Sequence, residues 1–259
     1  MSSPSSPQRQ EIARLFAGLA AQLQAEHHEQ PTLDRIVELA LQAIDAADHC
    51  AITVRNPDNQ VTTPAATDPL AAKVAALEDE LDEGPCLGTV WEVDIVTVTD
   101  MEHENRWPIW APAASRLGIR SMLGVRLDIT GQPVVASLNL FATRLSAFDP
   151  TDIAIAGIYA RHASNALAAA RYEEGLRAAA RSRQIIGVAE GILMQRFGLT
   201  LDQSFELLRR YSLTYNVKLR VLADNLARSG GLSAGGPATS DTPATGLEHA
   251  LGLEKDTCD

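Results

Sequence analysis

From Thr151 to Gly236 the chain contains no proline, and that absence constrains the fold more than any other feature. Proline removes a backbone donor and clashes with the preceding turn, so a stretch this long without one is free to run as continuous helix. It opens on Phe148-Asp-Pro-Thr151, whose Asp, Pro and Thr have the chemistry that starts a helix. Alternating steps of three and four pick out Ile155, Ile158, His162, Asn165, Ala169, Tyr172, Leu176, Ala179, Arg183 and Ile186. That seam is only partly apolar, which predicts a weak or short coiled coil. About 33 helical residues would form a rod of roughly 50 Å at 1.5 Å per residue. Asn165 on the seam either sets register or faces water. Phe197-Gly-Leu-Thr200 then interrupts the helix, and Thr200-Leu-Asp-Gln203 reads as a capping box. The helix it begins is expected to end near Tyr211. A third runs from Lys218 to Ala227, after a turn at Tyr215-Asn216.

Ahead of this region the pattern changes type. Apolar positions from Ile12 to Leu23 and from Leu33 to Ile44 recur at helical spacing, with Pro31 just inside the second helix. Cys50 to Val54 is a short β run closed by the turn Asn56-Pro-Asp-Asn59, and Ala71 to Leu81 is a further helix followed by an acidic loop to Gly84. Ile95 to Thr99 reads as a strand, Trp107 to Leu117 as a helix, and Arg120 to Ile129 and Pro133 to Ala142 as strands joined by a hairpin at Thr130-Gly-Gln132. This alternation predicts an α+β fold, an α/β sandwich on an antiparallel sheet. In the strand from Ser121, one face carries Ser121, Leu123, Val125, Leu127 and Ile129. The other carries Met122, Gly124, Arg126 and Asp128, and is expected to meet solvent or a cavity.

A length of 259 residues exceeds what one core usually fills. No run approaches the roughly 18 apolar residues of a membrane span, and Met1 to Pro7 lacks a signal-peptide pattern, so the chain reads as cytoplasmic. Cys50, Cys86 and Cys258 are scattered without metal-ligand or disulfide spacing. A net charge of −11 argues against nucleic acid, but the average hides its distribution. Residues 1–150 hold 10 Lys and Arg against 21 Asp and Glu; residues 151–230 hold 11 against 7; residues 231–259 hold 1 against 5. The one basic stretch thus lies between acidic flanks.

Within that stretch, Ile186-Gly-Val-Ala-Glu-Gly-Ile-Leu-Met194, Ser204-Phe-Glu-Leu-Leu-Arg-Arg-Tyr-Ser212 and Asn216-Val-Lys-Leu-Arg220 resemble the ANTAR domain, a three-helix RNA-binding module of bacterial antitermination regulators. The pattern is carried by Ile186, Ala189, Gly191, Leu193, Met194, Phe205, Leu208, Ser212, Asn216, Lys218, Leu219 and Ala223. The chain departs from it at Glu190, where the family usually has Lys, and at Ser204, where it usually has Ala. Residues of about 30 to 170 resemble a GAF domain, a sensory module, through Glu83-Gly-Pro-Cys86, Val98-Thr-Asp100, Arg106-Trp-Pro108, Gly118-Ile-Arg-Ser121, Ser137-Leu-Asn-Leu140 and Ala147-Phe-Asp149. Together the two resemblances, of the actinobacterial type, imply a GAF domain with flanking helices over 9–170 and an ANTAR domain over 171–230, while composition predicts a disordered N-terminus over 1–8 and a disordered acidic tail over 231–259.

The resemblance to ANTAR implies RNA stem-loops in nascent mRNA as partner, a homodimer, and antitermination of transcription as outcome. Arg183, Gly191, Arg196, Arg209, Arg210, Tyr211, Ser212, Asn216, Lys218 and Arg220 are the candidate RNA-binding residues. Of these, Tyr211, with Tyr215, offers rings on which unstacked bases would lie. Leu193, Met194 and Leu208 read as core, and Gly191 as a point of close helix approach. Cys86, Trp91, Trp107 and Trp110 are candidates for lining a pocket for an unidentified small-molecule ligand, against the alternative that the tryptophans are core. Arg106 and Asp100 read as a structural pair. The acidic run beside Cys86 would raise its pKa, and no metal site, cofactor or catalytic residue emerges. Three rivals remain: a DNA-binding regulator, a protein-interaction adaptor, and a methionine sulfoxide reductase of the kind some GAF domains form.

Overall fold

The computed structural model of the protein describes residues 14, 17–87, 94–128 and 135–230, which divide into two compact units at Glu174 and Gly175. The first is built on a five-stranded antiparallel sheet of order β2-β1-β5-β4-β3. In chain order its elements are α1 (17–24), α2 (Glu29–Ala43), β1 (His49–Arg55), β2 (Val61–Ala66), α3 (Pro69–Leu81), β3 (Ile95–Val98), a 3-10 turn (Met101–His103), α4 (Trp110–Arg116), β4 (Ser121–Leu127), β5 (Val135–Ala142) and the start of α5 (Pro150–Phe197). The predicted hairpin tip, with Ile129, lies outside the described residues; β4 and β5 do pair antiparallel in register, Gly124 opposite Asn139.

Side chains alternate across each strand, so each face gathers its own core. Cys50, Ile52, Leu123, Val125, Leu127, Leu138 and Leu140 pack with Leu33, Ile36 and Val37 of α2 and Ala156, Tyr159 and Leu167 of α5. The Tyr159 hydroxyl donates to the Ile36 carbonyl at 2.7 Å. On the opposite face, Ala51, Val96, Val98, Met122 and Phe141 pack with Val74 of α3 and Trp107, Trp110 and Ala114. The expectation that the Met122 face would meet solvent or a cavity is corrected for its first half: Met122 and Gly124 are buried under α3 and α4, whereas Arg126 is half-buried and Asp128 exposed. With both faces covered, every β4 residue from Ser121 to Val125 is buried.

Sequence patterning missed β2, because Pro64 interrupts Val-Thr-Thr-Pro-Ala-Ala. The strand stands at the sheet's edge, where a missing donor costs no ladder bond. The second helix begins at Glu29, placing Pro31 at its third residue, still among the four whose donors lack helical acceptors. Asp68 caps α3 by accepting from the backbone of Leu70 and Ala71 at 2.9 and 3.1 Å.

Helix α5 runs for 48 residues, longer than the 33 expected. Its C-terminal portion joins α6 (Leu201–Tyr215) and α7 (Leu219–Gly230) in the second unit. The core there is small: Ala189, Leu193, Leu208, Leu222, Ala223 and Leu226. The predicted capping box is present, with Thr200 and Gln203 satisfying each other's backbone. Helix α6 ends at Tyr215 rather than near Tyr211; nothing between them breaks a helix, and Asn216 takes the left-handed C-cap at φ 51°. The predicted tail and N-terminus lie outside the described residues.

Candidate functional site

The second unit presents its cations outward. Arg181, Arg183, Arg196, Arg210, Lys218 and Arg220 are all exposed and, among the described residues, none of their side chains makes a hydrogen bond or ion pair. Arg209 differs, because its guanidinium holds Glu206 at 2.9 Å; both groups face water, so the pair is weak and exchangeable. Arg228 is tied similarly to Asp224. Along α6, Gln203, Glu206, Leu207, Arg209, Arg210, Leu213 and Thr214 line a shallow groove of about 560 Å³. Leu213 there is 70% exposed.

Other candidates have work inside the domain. Tyr211 and Tyr215 stack on each other, centroids 5.8 Å apart and planes 8° from parallel, and both lean on the core. The Ser212 hydroxyl donates to the Val217 carbonyl at 2.7 Å, and Asn216 supplies the left-handed cap, so both hold the α6–α7 turn. Gly191 does not mediate a close helix approach: a Cβ there would meet nothing within 4 Å. Met194, expected in the core, is 38% exposed, while Leu193 and Leu208 are buried as predicted. Glu190 is half-buried.

The first unit keeps its polar chemistry inside. Thr53 of β1 and Ser137 and Asn139 of β5 stand on the face under α3 and α4, and Cys86 reaches them from the turn after α3. The Cys86 Sγ lies 2.6 Å from Thr53 Oγ1 and 2.7 Å from Ser137 Oγ, and Asn139 Nδ2 donates to Thr53 Oγ1 at 2.9 Å. Glu78 lies fully buried beside them and accepts from the Cys86 backbone at 2.7 Å through Oε2. Its other oxygen, Oε1, has no hydrogen-bond partner among the described residues. Burial pushes the Glu78 carboxyl up to about 7, against the opposing bond from Cys86. The Cys86 thiol is also pushed up, by burial first and by the Glu78 charge second, rather than by the exposed acidic run. Gly84 is required here: its φ is 154° and a Cβ would sit 2.5 Å from the Glu78 side chain. The period-two polar positions Ser137 and Asn139 inside an apolar strand were the available signal for this cluster.

Trp107 and Trp110 are core. They are 4% and 0% exposed, meet edge to face at 5.8 Å, and the Trp110 indole donates to the Val74 carbonyl. Trp91 lies outside the described residues. Arg106 pairs with Glu104 at 2.6 Å rather than with Asp100, and it lies 4.6 Å over the Trp107 ring. Asp100 instead bonds His103 and caps the 3-10 turn. Among the described residues no cluster of His, Cys, Asp or Glu has metal-binding geometry, and no helix is long and apolar enough to cross a membrane.

The seam of α5 faces outward as well. Ile158, Tyr172 and Leu176 are 47%, 69% and 54% exposed. Beside Ile158 and Asn165 lies a groove of about 960 Å³ against β3 and β4, flanked by Asp94, Arg126, Asp128 and Arg161.

A GAF domain model matches residues 26–168, and an ANTAR domain model matches residues 174–226. Among solved structures, the photosensory core module of a Stigmatella aurantiaca phytochrome superposes with a TM-score of 0.57 at 10% identity, covering 83% of this chain and 47% of that one. A bacteriophytochrome from the photosynthetic bacterium R. palustris gives 0.57 at 10% identity, covering 80% and 47%. The chain thus spans about half the length of the phytochrome proteins it matches. A free methionine-R-sulfoxide reductase from Neisseria meningitidis gives 0.49 at 15% identity, covering 66% and 95%. No curated protein gives a significant match.

Proposed function

The chain belongs to the GAF domain family and carries an ANTAR domain behind its sensory unit, and from that premise we propose that this RNA-binding antitermination regulator works as a homodimer whose paired basic surfaces hold RNA stem-loops. The observation that carries the reading is the set of six exposed cations without protein partners on the helical unit. Cations left free in the folded chain are available to phosphate, and neutralising phosphates releases counterions. Dimerisation is supported by the outward seam at Ile158, Tyr172 and Leu176 on α5. Apolar side chains at coiled-coil spacing gain from burial against a second copy. Held in that way, stem-loops in nascent mRNA stay folded as an antiterminator and the competing terminator does not form. A cytoplasmic location follows from such a partner.

The first unit supplies the signal, and the buried Glu78–Cys86–Thr53–Ser137–Asn139 cluster is where a small polar ligand would act. A ligand alters RNA binding only if it favours one dimer state over another. We read the chain as non-catalytic. Sulfoxide reduction needs an accessible thiolate, whereas Cys86 is buried with its thiol pushed up. Cys50 lies in the core of the opposite sheet face.

The test is equilibrium binding of the full chain to an RNA bearing two short stem-loops, with duplex-DNA and loop-sequence controls, across a salt series. Loop-dependent affinity, falling with salt and tighter for the dimer in sedimentation, is the expected result. Equal affinity for duplex DNA would replace the reading with a DNA-binding one, and no nucleic-acid affinity with an adaptor.

A further inference from the structure

The α6 groove has a chemistry that differs from a plain phosphate site. Two cations, Arg209 and Arg210, stand beside two apolar side chains, Leu207 and Leu213, the latter among the most exposed in the chain. Phosphate has no use for an exposed leucine such as Leu213 beside the half-buried Leu207; an acidic amphipathic peptide uses both the cations and the apolar surface. Such a segment follows α7 in the same chain. Beyond Gly230 the sequence carries Asp241, Glu248, Glu254, Asp256 and Asp259 against a single Lys255. The unit from Gly175 to Gly230 carries nine Lys and Arg against four Asp and Glu. Charge complementarity favours the contact, with Arg210 open and Arg209 available once it gives up Glu206 in the same groove. The tail also holds Leu247, Ala250 and Leu251, spaced three and four apart behind Thr245-Gly-Leu-Glu248, a capping-box pattern.

Reach permits the contact. The residues between Gly230 and Leu247 begin Gly-Leu-Ser-Ala-Gly-Gly-Pro, a flexible composition whose end-to-end distance for 16 residues is about 20–24 Å. Helix α7, from which the tail departs, packs against α6, and α6 with its 15 residues is about 22 Å long at 1.5 Å per residue.

We propose that the tail segment Thr245–Asp259 docks in the groove of α6, its carboxylates on Arg209 and Arg210 and its leucines against Leu207 and Leu213, and so competes with RNA for the same cations. The regulatory consequence rests on the RNA-binding reading above; the contact itself does not. A tethered segment needs no strong intrinsic affinity, because a short tether holds it at an effective concentration in the millimolar range. RNA affinity then falls by the fraction of chains left open.

Two measurements on the full chain separate the contact from its consequence. Cys50 and Cys86 are buried, so a thiol-reactive spin label directs itself to Cys258. In isotope-labelled protein at low salt, amides of Glu206 to Thr214 should broaden, and broadening should fade at about 0.5 M salt as charges are screened. Absence of broadening, or broadening confined to other elements, overturns the proposal. Broadening of the same strength in isotope-labelled chains lacking the tail, once these are mixed with spin-labelled full chains of natural isotope content, gives the groove to a second copy's tail, and likewise overturns it.

The second measurement is RNA affinity of the full chain, of a chain ending at Gly231, and of a full-length variant carrying Asp241→Asn, Glu248→Gln, Glu254→Gln, Asp256→Asn and Asp259→Asn. Truncation and neutralisation should both tighten binding about three- to tenfold at low salt, the gap closing as salt rises. Equal affinity in all three, without broadening, defeats the tail contact and leaves the RNA function standing. Broadening at α6 in chains that bind no RNA keeps the contact and defeats the RNA function.

Discussion

The sheet unit and the helical unit dispose of their polar groups in opposite ways. The first buries Thr53, Ser137, Asn139, Cys86 and Glu78 between its sheet and α3. The second places Arg183, Arg196, Arg210, Lys218 and Arg220 in water around a core of six buried side chains. Buried polar groups make demands on stability, since each must find a partner or cost free energy. Exposed charges make almost none, and so are free to serve a partner. Substitutions in the sheet unit should therefore be read in folding, and those on the helical surface in binding.

The largest effect tests the helical unit's weakness. Leu193 is fully buried in the small core of the helical unit, and Leu193→Ala should cost about 2–5 kcal/mol, the range for leucine truncation in a packed core. Urea unfolding followed by far-UV circular dichroism should then show the helical unit melting in a separate, earlier transition. A single unchanged transition would mean that the two units fold as one and that the contrast between them is superficial.

Glu78→Gln tests the sheet unit and has a sign. The folded carboxyl titrates near 7 against an ordinary value of 4.5, so between those pH values the folded chain holds a proton that the unfolded chain has released. Its contribution to stability is present in full below about 4.5 and is lost as pH rises through about 7. At most this amounts to roughly 3 kcal/mol, at 1.36 kcal/mol per pH unit. In the Gln variant that slope should vanish, as measured by denaturation midpoints at pH 5 and about 8. A slope that persists would assign the pH dependence to another group and remove Glu78 from the account of the cluster.

What the sequence disclosed follows the same division. Period and capping made the strands β1, β3, β4 and β5 and the capped helix α6 legible, because local chemistry specifies them: Thr200 and Gln203 name their own partners. Strand β2 was hidden by Pro64, tolerated only because the strand is at an edge. The Glu78–Cys86 contact joins two residues close in sequence, but its meaning depends on Ser137 and Asn139, which topology alone brings there. The exposed cations were legible as a cluster, whereas the use of Ser212 and Asn216 in the α6–α7 turn was not. Residue type gives no sign of whether a hydroxyl spends its bond on its own backbone or keeps it for a ligand.

The smallest effect on folding belongs to the surface pair. Arg209→Ala with Arg210→Ala removes one guanidinium tied to Glu206 and one without a partner among the described residues, both on the exposed side of α6. Stability should hardly change, since neither group is buried and their one ion pair is open to water. RNA affinity should fall, and the slope of log affinity against log salt should flatten by about 1.4 if each contacts one phosphate, at roughly 0.7 per contact to a single strand. The two arginines need not contribute equally. Arg209 must first give up Glu206, so Glu206→Gln should tighten RNA binding by freeing it, while Arg210→Ala alone should carry the larger loss. A double variant that loses stability but keeps its salt slope would invert the comparison, making this face a structural surface and moving the search for phosphate contacts to Arg183, Arg196 and Arg220.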